Sequence, residues 1–63
     1  MYAIQITDRL GGTAYLSDRY RTVDEVVGLI EETTHQFITL EMGQGQDLFI
    51  RPEHIVSVRA IRQ

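Results

Sequence analysis

The residues with the clearest potential for chemistry form the stretch Arg19-Tyr20-Arg21-Thr22, directly before a predicted helix. Arginine side chains bind carboxylates and phosphates through paired hydrogen bonds, and a tyrosine ring stacks on a base. The free backbone amides at the start of a helix, together with its dipole, also attract anions. We therefore interpret Arg19, Tyr20, Arg21 and Thr22 as a candidate ligand-binding site.

A structural role is the alternative for the same stretch, because Thr22 and Glu25 have the T-x-x-E spacing of a capping box. In that motif the Thr22 hydroxyl accepts a hydrogen bond from the Glu25 amide, and the Glu25 carboxylate reaches back to the amide of Thr22. The two arginines would then face solvent or pair with neighbouring aspartates.

The two histidines, His35 and His54, are the remaining candidates for chemistry. His54 would act as a general base if Glu53 oriented it, but adjacent residues in an extended segment point apart. We interpret Pro52-Glu53-His54 as a corner between two strands. No nucleophile, metal-binding cluster or cofactor motif accompanies either histidine, so we predict no catalytic residue, metal or cofactor, and no enzyme.

Size and composition set the broad class. The chain has 63 residues, no cysteine and a net charge of -3, which predicts one domain over residues 1–63 without disulfides. The net charge argues against nucleic-acid binding over the whole surface. The sequence shows neither a signal peptide nor a membrane span, and we expect a cytoplasmic protein with no membrane partner.

Alternating apolar residues predict strands on both sides of a single helix. The helix is predicted from residue 22 or 23 to about 33, because Val23, Val26, Val27 and Ile30 recur at helical spacing. A strand is the alternative, because Gly28 and the β-branched valines lower the helix propensity of the segment. The order ββαβββ indicates an α+β domain with an antiparallel sheet, either strongly curved or closed into a small barrel. The strands are predicted at residues 2–7, 13–17, 36–42, 48–51 and 55–61, with turns at 8–12 and 43–46.

The second half of the chain, from about Gly28 to Ile61, resembles SH3-like and Sm-like small barrels. In those folds a single short turn of helix joins the last two strands, and Pro52-Glu53-His54 would be that turn. The resemblance implies a barrel-like shape. It carries over no functional residue, because no family-specific motif is present.

The apolar residues divide between two faces of the sheet. The helix is expected to cover Ile4, Ile6, Ala14, Leu16, Ile38, Leu40, Leu48, Ile50, Val56 and Val58. The opposite face would carry Tyr15, Phe37, Phe49, Ile55 and Ile61. Large apolar groups on an outer face are typical of an interface, so we interpret these five residues as a homo-oligomer contact, with barrel closure as the alternative.

These patterns favour a small non-enzymatic module that forms homo-oligomers and acts by protein contacts. Compact acidic single-domain chains resemble small phage or prophage products that regulate or inhibit host proteins. The alternative is a small barrel that binds a nucleotide or RNA at residues 19–22.

Overall fold

The computed structural model describes residues 2–62 and confirms the order ββαβββ. Five strands and one helix form an α+β domain in which every strand pairing is antiparallel. The strands are β1 (Tyr2–Asp8), β2 (Thr13–Tyr15), β3 (Ile38–Glu41), β4 (Asp47–Ile50) and β5 (Ile55–Arg62), and the helix is α1 (Val23–Glu32).

The strands form two sheets. The larger sheet has the order β2-β1-β5, and β3 and β4 form a separate hairpin. One backbone hydrogen bond of 3.0 Å, from the Ser17 amide to the Glu41 carbonyl, joins the end of β2 to the end of β3. Within residues 2–62 the sheets do not close into a barrel, so the barrel alternative is not confirmed.

The predicted turn between β4 and β5 is present as a single 3-10 turn over Pro52–His54. Its first residue is a proline, which has no amide hydrogen to lose at the start of a helical turn. The turn therefore lies where the sequence predicted it, while the sheets stay open within residues 2–62.

Both predicted tight turns contain a glycine at positive φ, and in the second turn Gln44 also has a positive φ, of 59°, which side chains disfavour. In the β1–β2 turn, Gly11 has a φ of +89°, and the Asp8 carboxylate accepts 2.9 Å hydrogen bonds from the amides of Leu10 and Gly12. In the β3–β4 turn, Gly45 has a φ of +74°. Glycine adopts positive φ without steric cost, so these two positions set the hairpin geometry.

The core lies between the two sheets and the inward stripe of α1. Val26 is fully buried, as the helical spacing predicts, and Ile30 packs against the same cluster. The most buried apolar side chains besides Val26 are Ile4, Ile6, Leu16, Tyr20, Ile38 and Leu40.

A β-bulge in β5 changes which residues face the core. Asp8 pairs with Ile55 and Thr7 pairs with Ser57, so Val56 is the extra residue on the β5 side. The alternation shifts by one position there, because an extra residue reverses the faces that follow. Two predictions were consequently wrong: Ile55 packs against the core, and Val56 is 65% exposed.

Candidate functional site

Tyr20, which the ligand-binding interpretation expects to be exposed, is instead buried in the core. Its ring is only 9% exposed and belongs to the core cluster. Its hydroxyl accepts a 2.9 Å hydrogen bond from the backbone amide of Glu41, at the end of β3. Stacking on a base needs an open ring face, so this placement does not favour the stacking role.

Arg19 lies on the outside of Tyr20 and is held by the same strand end. Its Nη1 donates to Glu41 Oε2 at 3.0 Å, and its guanidinium carbon lies 5.5 Å from the centre of the Tyr20 ring. The hydrogen bond to Glu41, and the charge of that carboxylate, raise the pKa of Arg19 above its ordinary value. Arg19 therefore has an acidic partner within the chain.

Thr22 caps the helix as the capping box predicts. Its hydroxyl accepts a 3.1 Å hydrogen bond from the Glu25 amide. The return bond differs from the prediction, because the Glu25 carboxylate accepts from the amide of Arg21, at 3.0 Å, rather than from that of Thr22. The chain thus places its own carboxylate at the helix start, where a bound anion would otherwise sit.

Arg21 is exposed, and within residues 2–62 its guanidinium has no carboxylate partner within salt-bridge distance. The four residues of the stretch differ in their surroundings. Their contacts divide them into a buried tyrosine, a paired arginine, a helix cap and one arginine open to solvent.

The five residues predicted as one oligomer face are distributed over different surfaces. Tyr15 and Ile61 lie on the outer face of the larger sheet, because they pair with Gln5 and Ala3 at positions opposite to the core face. The Tyr15 ring is about half exposed, and its hydroxyl lies 3.3 Å from the donor Nε2 of Gln5. Ile55, as described above, faces the core.

Phe37 and Phe49 lie on the outer face of the β3–β4 hairpin. Phe49 pairs with Thr39 and is 66% exposed. Phe37 directly precedes β3 and is 51% exposed, with the Arg51 guanidinium carbon 5.4 Å from its ring centre. We call Phe37, Phe49 and Arg51 the aromatic face.

The aromatic face has the composition of a protein interface. Phenylalanine and arginine are enriched at interface cores, and a phenylalanine ring buries a large area with few rotatable bonds. A guanidinium over an aromatic ring adds a cation–π attraction and keeps the Arg51 side chain close to the ring. Arg51 also pairs with Glu53 at 3.6 Å, so its charge is partly balanced.

Two grooves were not predicted from the sequence. The smaller, of about 120 Å³, lies between the β1–β2 turn and β4 and is lined by Ile6, Ala14, Leu48 and Ile50. The larger, of about 270 Å³, lies between α1 and the start of β5 and is lined by Val27, Ile30, Ile55, Val56 and Val58. The smaller groove lies in the gap between the two sheets, and the larger one lies beside the bulge at Val56. No local sequence pattern indicates either the gap or the bulge.

His54 occupies the corner that Pro52-Glu53-His54 predicted. Its amide donates to the Arg51 carbonyl at 2.9 Å, and its carbonyl accepts from the Arg9 amide at 2.9 Å. The first bond closes the 3-10 turn, and the second joins that turn to the end of β1. The backbone of His54 therefore has a structural role at this corner.

Within residues 2–62, no three histidine, aspartate or glutamate side chains come together as metal ligands. In the same span, no helix is long and apolar enough to cross a membrane. Comparisons of the chain with protein-family models, with curated proteins and with solved structures found no match.

Proposed function

We propose that the chain is a small non-enzymatic binding module of the cytoplasm, which forms homo-oligomers and regulates or inhibits another protein by occupying its surface. The observation that carries the proposal is the aromatic face, in which Phe37 and Phe49 are each more than half exposed beside Arg51. Removing such rings from water is a principal source of binding free energy.

The size of the domain supports self-association. Only seven apolar residues are buried among those the structure describes, and the sequence has no cysteine to form a disulfide. Domains of this length commonly gain their remaining stability from disulfides, metals or oligomerisation. An oligomer that covers Phe37 and Phe49 would supply apolar burial that a single copy lacks.

A second surface is available for a partner of opposite charge. Asp24, Glu31 and Glu32 are exposed on the outer side of α1. A cluster of carboxylates of this kind speeds encounters with a basic surface and disfavours acidic ones. We assign self-assembly to the aromatic face and recognition of a basic partner to this side of the helix.

Native mass spectrometry of the purified protein, with a matched pair of variants, tests the proposal. The wild-type chain is expected as a homo-oligomer. Phe37→Ser combined with Phe49→Ser is expected to reduce its association at least tenfold. Leu10→Ser is the control, because Leu10 is 91% exposed at a turn away from the aromatic face, and it should leave the stoichiometry unchanged. A wild-type monomer would contradict the proposal.

The same spectrum tests the nucleotide or RNA alternative. A retained mass of a few hundred daltons, lost in Arg21→Ala, would favour a ligand at residues 19–22. The exposed Arg21 is the only feature of that stretch, among the described contacts, that favours this alternative over the capping role. A spectrum with protein mass alone would favour the protein-contact proposal.

A further inference from the structure

The outer edge of β5 carries backbone groups whose direction follows from the hydrogen bonds of β1. The Leu16 amide donates to the Ile4 carbonyl at 2.9 Å, so the backbone groups of Ile4 point toward β2. In an antiparallel sheet successive residues alternate between their two neighbours, so the groups of Ala3, Gln5 and Thr7 point toward β5. Their partners on β5 are Ile61, Arg59 and Ser57.

Val58 and Ala60 occupy the alternate positions, where they pair with Ile6 and Ile4. Their amides and carbonyls therefore point away from β1, toward the free edge of the sheet. Within residues 2–62 no other strand pairs with this edge, and no side chain donates to or accepts from these two backbones. Ala60 is exposed, so α1 does not cover the edge at that point.

The free backbone groups of this edge determine what kind of partner can bind to it. Alternating donors and acceptors along an extended backbone are satisfied by another extended backbone. β5 contains no proline, and its charged residues, Arg59 and Arg62, restrict how a partner strand aligns with it. β5 is the longest strand of the fold, and its regular part runs from residue 57 to residue 62, beyond the bulge.

We propose that β5 pairs antiparallel with β5 of a second copy, with Ala60 facing Ala60 of the partner subunit across a two-fold axis. The two sheets of three strands would then become one sheet of six. This inference rests on the proposed self-association and identifies a contact additional to the aromatic face.

The charges of β5 select this register. Two registers use the regular part of the strand most fully, centred on Arg59 or on Ala60. A centre at Arg59 sets Arg59 directly opposite Arg59 of the partner subunit, which is unfavourable because like charges across strands repel. A centre at Ala60 sets Arg59 opposite Ile61 of the partner subunit and Val58 opposite Arg62 of the partner subunit, so no arginine faces another.

A single-cysteine experiment tests the register, because the natural chain has no cysteine. Directly opposed residues of a hydrogen-bonded antiparallel pair have Cα atoms about 5.5 Å apart, within the range of a disulfide. Under mild oxidation Ala60→Cys is expected to form covalent dimers at least fivefold faster than Ile61→Cys, which keeps both arginines and whose neighbour across the axis is Arg59 of the partner subunit. Leu10→Cys is the control, because Leu10 is 91% exposed at a turn away from both proposed contacts.

A proline variant tests the same edge without a cross-link. The Ala60 amide points away from β1, so Ala60→Pro removes an outward donor while it leaves the β1–β5 ladder intact, as edge prolines do. We expect association through β5 to weaken at least tenfold while circular dichroism shows a folded chain. Ala60→Val, which retains the amide, should associate like the wild type.

The outcomes separate this inference from the proposed function. An oligomer in native mass spectra whose Ala60→Cys variant cross-links no faster than Ile61→Cys or Leu10→Cys would overturn the β5 pairing and leave the proposed function standing. A monomeric wild-type chain would overturn both.

Discussion

The hydroxyl oxygen of Tyr20 accepts a hydrogen bond from the backbone amide of Glu41 at 2.9 Å, across 21 positions of sequence. The Glu41 side chain holds Arg19 at 3.0 Å, and the Glu41 carbonyl accepts from the Ser17 amide at 3.0 Å. One residue at the end of β3 thus holds the segment between β2 and α1 at three points. The candidate ligand stretch is, in these contacts, a joint between the two sheets.

Tyr20→Phe is expected to lower the free energy of unfolding by about 1–2 kcal/mol, because the partly buried Glu41 amide loses its acceptor. Urea unfolding measures the change. Tyr15→Phe is the matched control. Among residues 2–62 the Tyr15 hydroxyl has only an exposed contact of 3.3 Å with Gln5, so the loss of stability should stay within about 0.5 kcal/mol. Equal losses in the two variants would argue against a structural role for the Tyr20 hydroxyl.

Thr22→Ala is expected to destabilise the fold by about 1 kcal/mol, since the Glu25 amide loses the oxygen that caps the helix. Thr22→Ser keeps that oxygen and should retain most of the stability. Thermal unfolding of the two variants, monitored by the helix signal in circular dichroism at 222 nm, compares their stability. If serine and alanine behaved alike, the hydroxyl contact would not be what stabilises the helix start.

Gly28→Ala is expected to stabilise the protein by about 0.5–1 kcal/mol. Gly28 lies inside α1 at an ordinary φ, and an added Cβ would meet no atom within 4 Å. Alanine therefore gains its helix propensity without a clash. For a domain of this size that gain corresponds to a rise in melting temperature of roughly 2–8 °C. A fall in melting temperature would contradict the prediction.

Gly11→Ala is expected to cost about 1–2 kcal/mol, because Gly11 has a φ of +89°, a region that side chains disfavour. Gly43→Ala is the control. Gly43 lies in the other hairpin turn at an ordinary φ, with open space around its Cα, so its substitution should change stability by less than about 0.5 kcal/mol. Chemical denaturation of both variants gives the comparison, and similar costs would contradict the backbone explanation.

The elements that could be predicted from the sequence are those with local causes. The capping box at Thr22, the stripe of Val26 and Ile30, and the positive-φ glycines each act over a few neighbouring residues. The helix follows from the first two, and the strands follow from the alternation of apolar residues, which is equally local. The turn at Pro52 could be predicted in the same way, because proline has a fixed φ and no amide hydrogen to continue a strand ladder.

The features that could not be predicted depend on contacts between distant segments. Tyr20 stands between two arginines in the sequence, and nothing local indicates that the end of β3 covers its ring. Ile55 was assigned to the wrong face because strict alternation assumes a regular strand, whereas the bulge arises from the pairing of Asp8 with Ile55. The division into two sheets, which places Tyr15 and Ile61 on a different sheet from Phe37 and Phe49, also depends on the pairing of distant segments.

The bulge at Val56 also has a consequence for changes in chain length. Ile55 and Ser57 already face consecutive residues of β1, so deletion of Val56 would leave both partners in place and convert the bulge into a regular ladder. Loss of Arg59 or Ala60 would instead leave the residues on one side of the deletion out of phase with β1 and reverse the faces of their side chains. Val56 therefore marks the position in β5 where a one-residue length difference between relatives would be absorbed most readily.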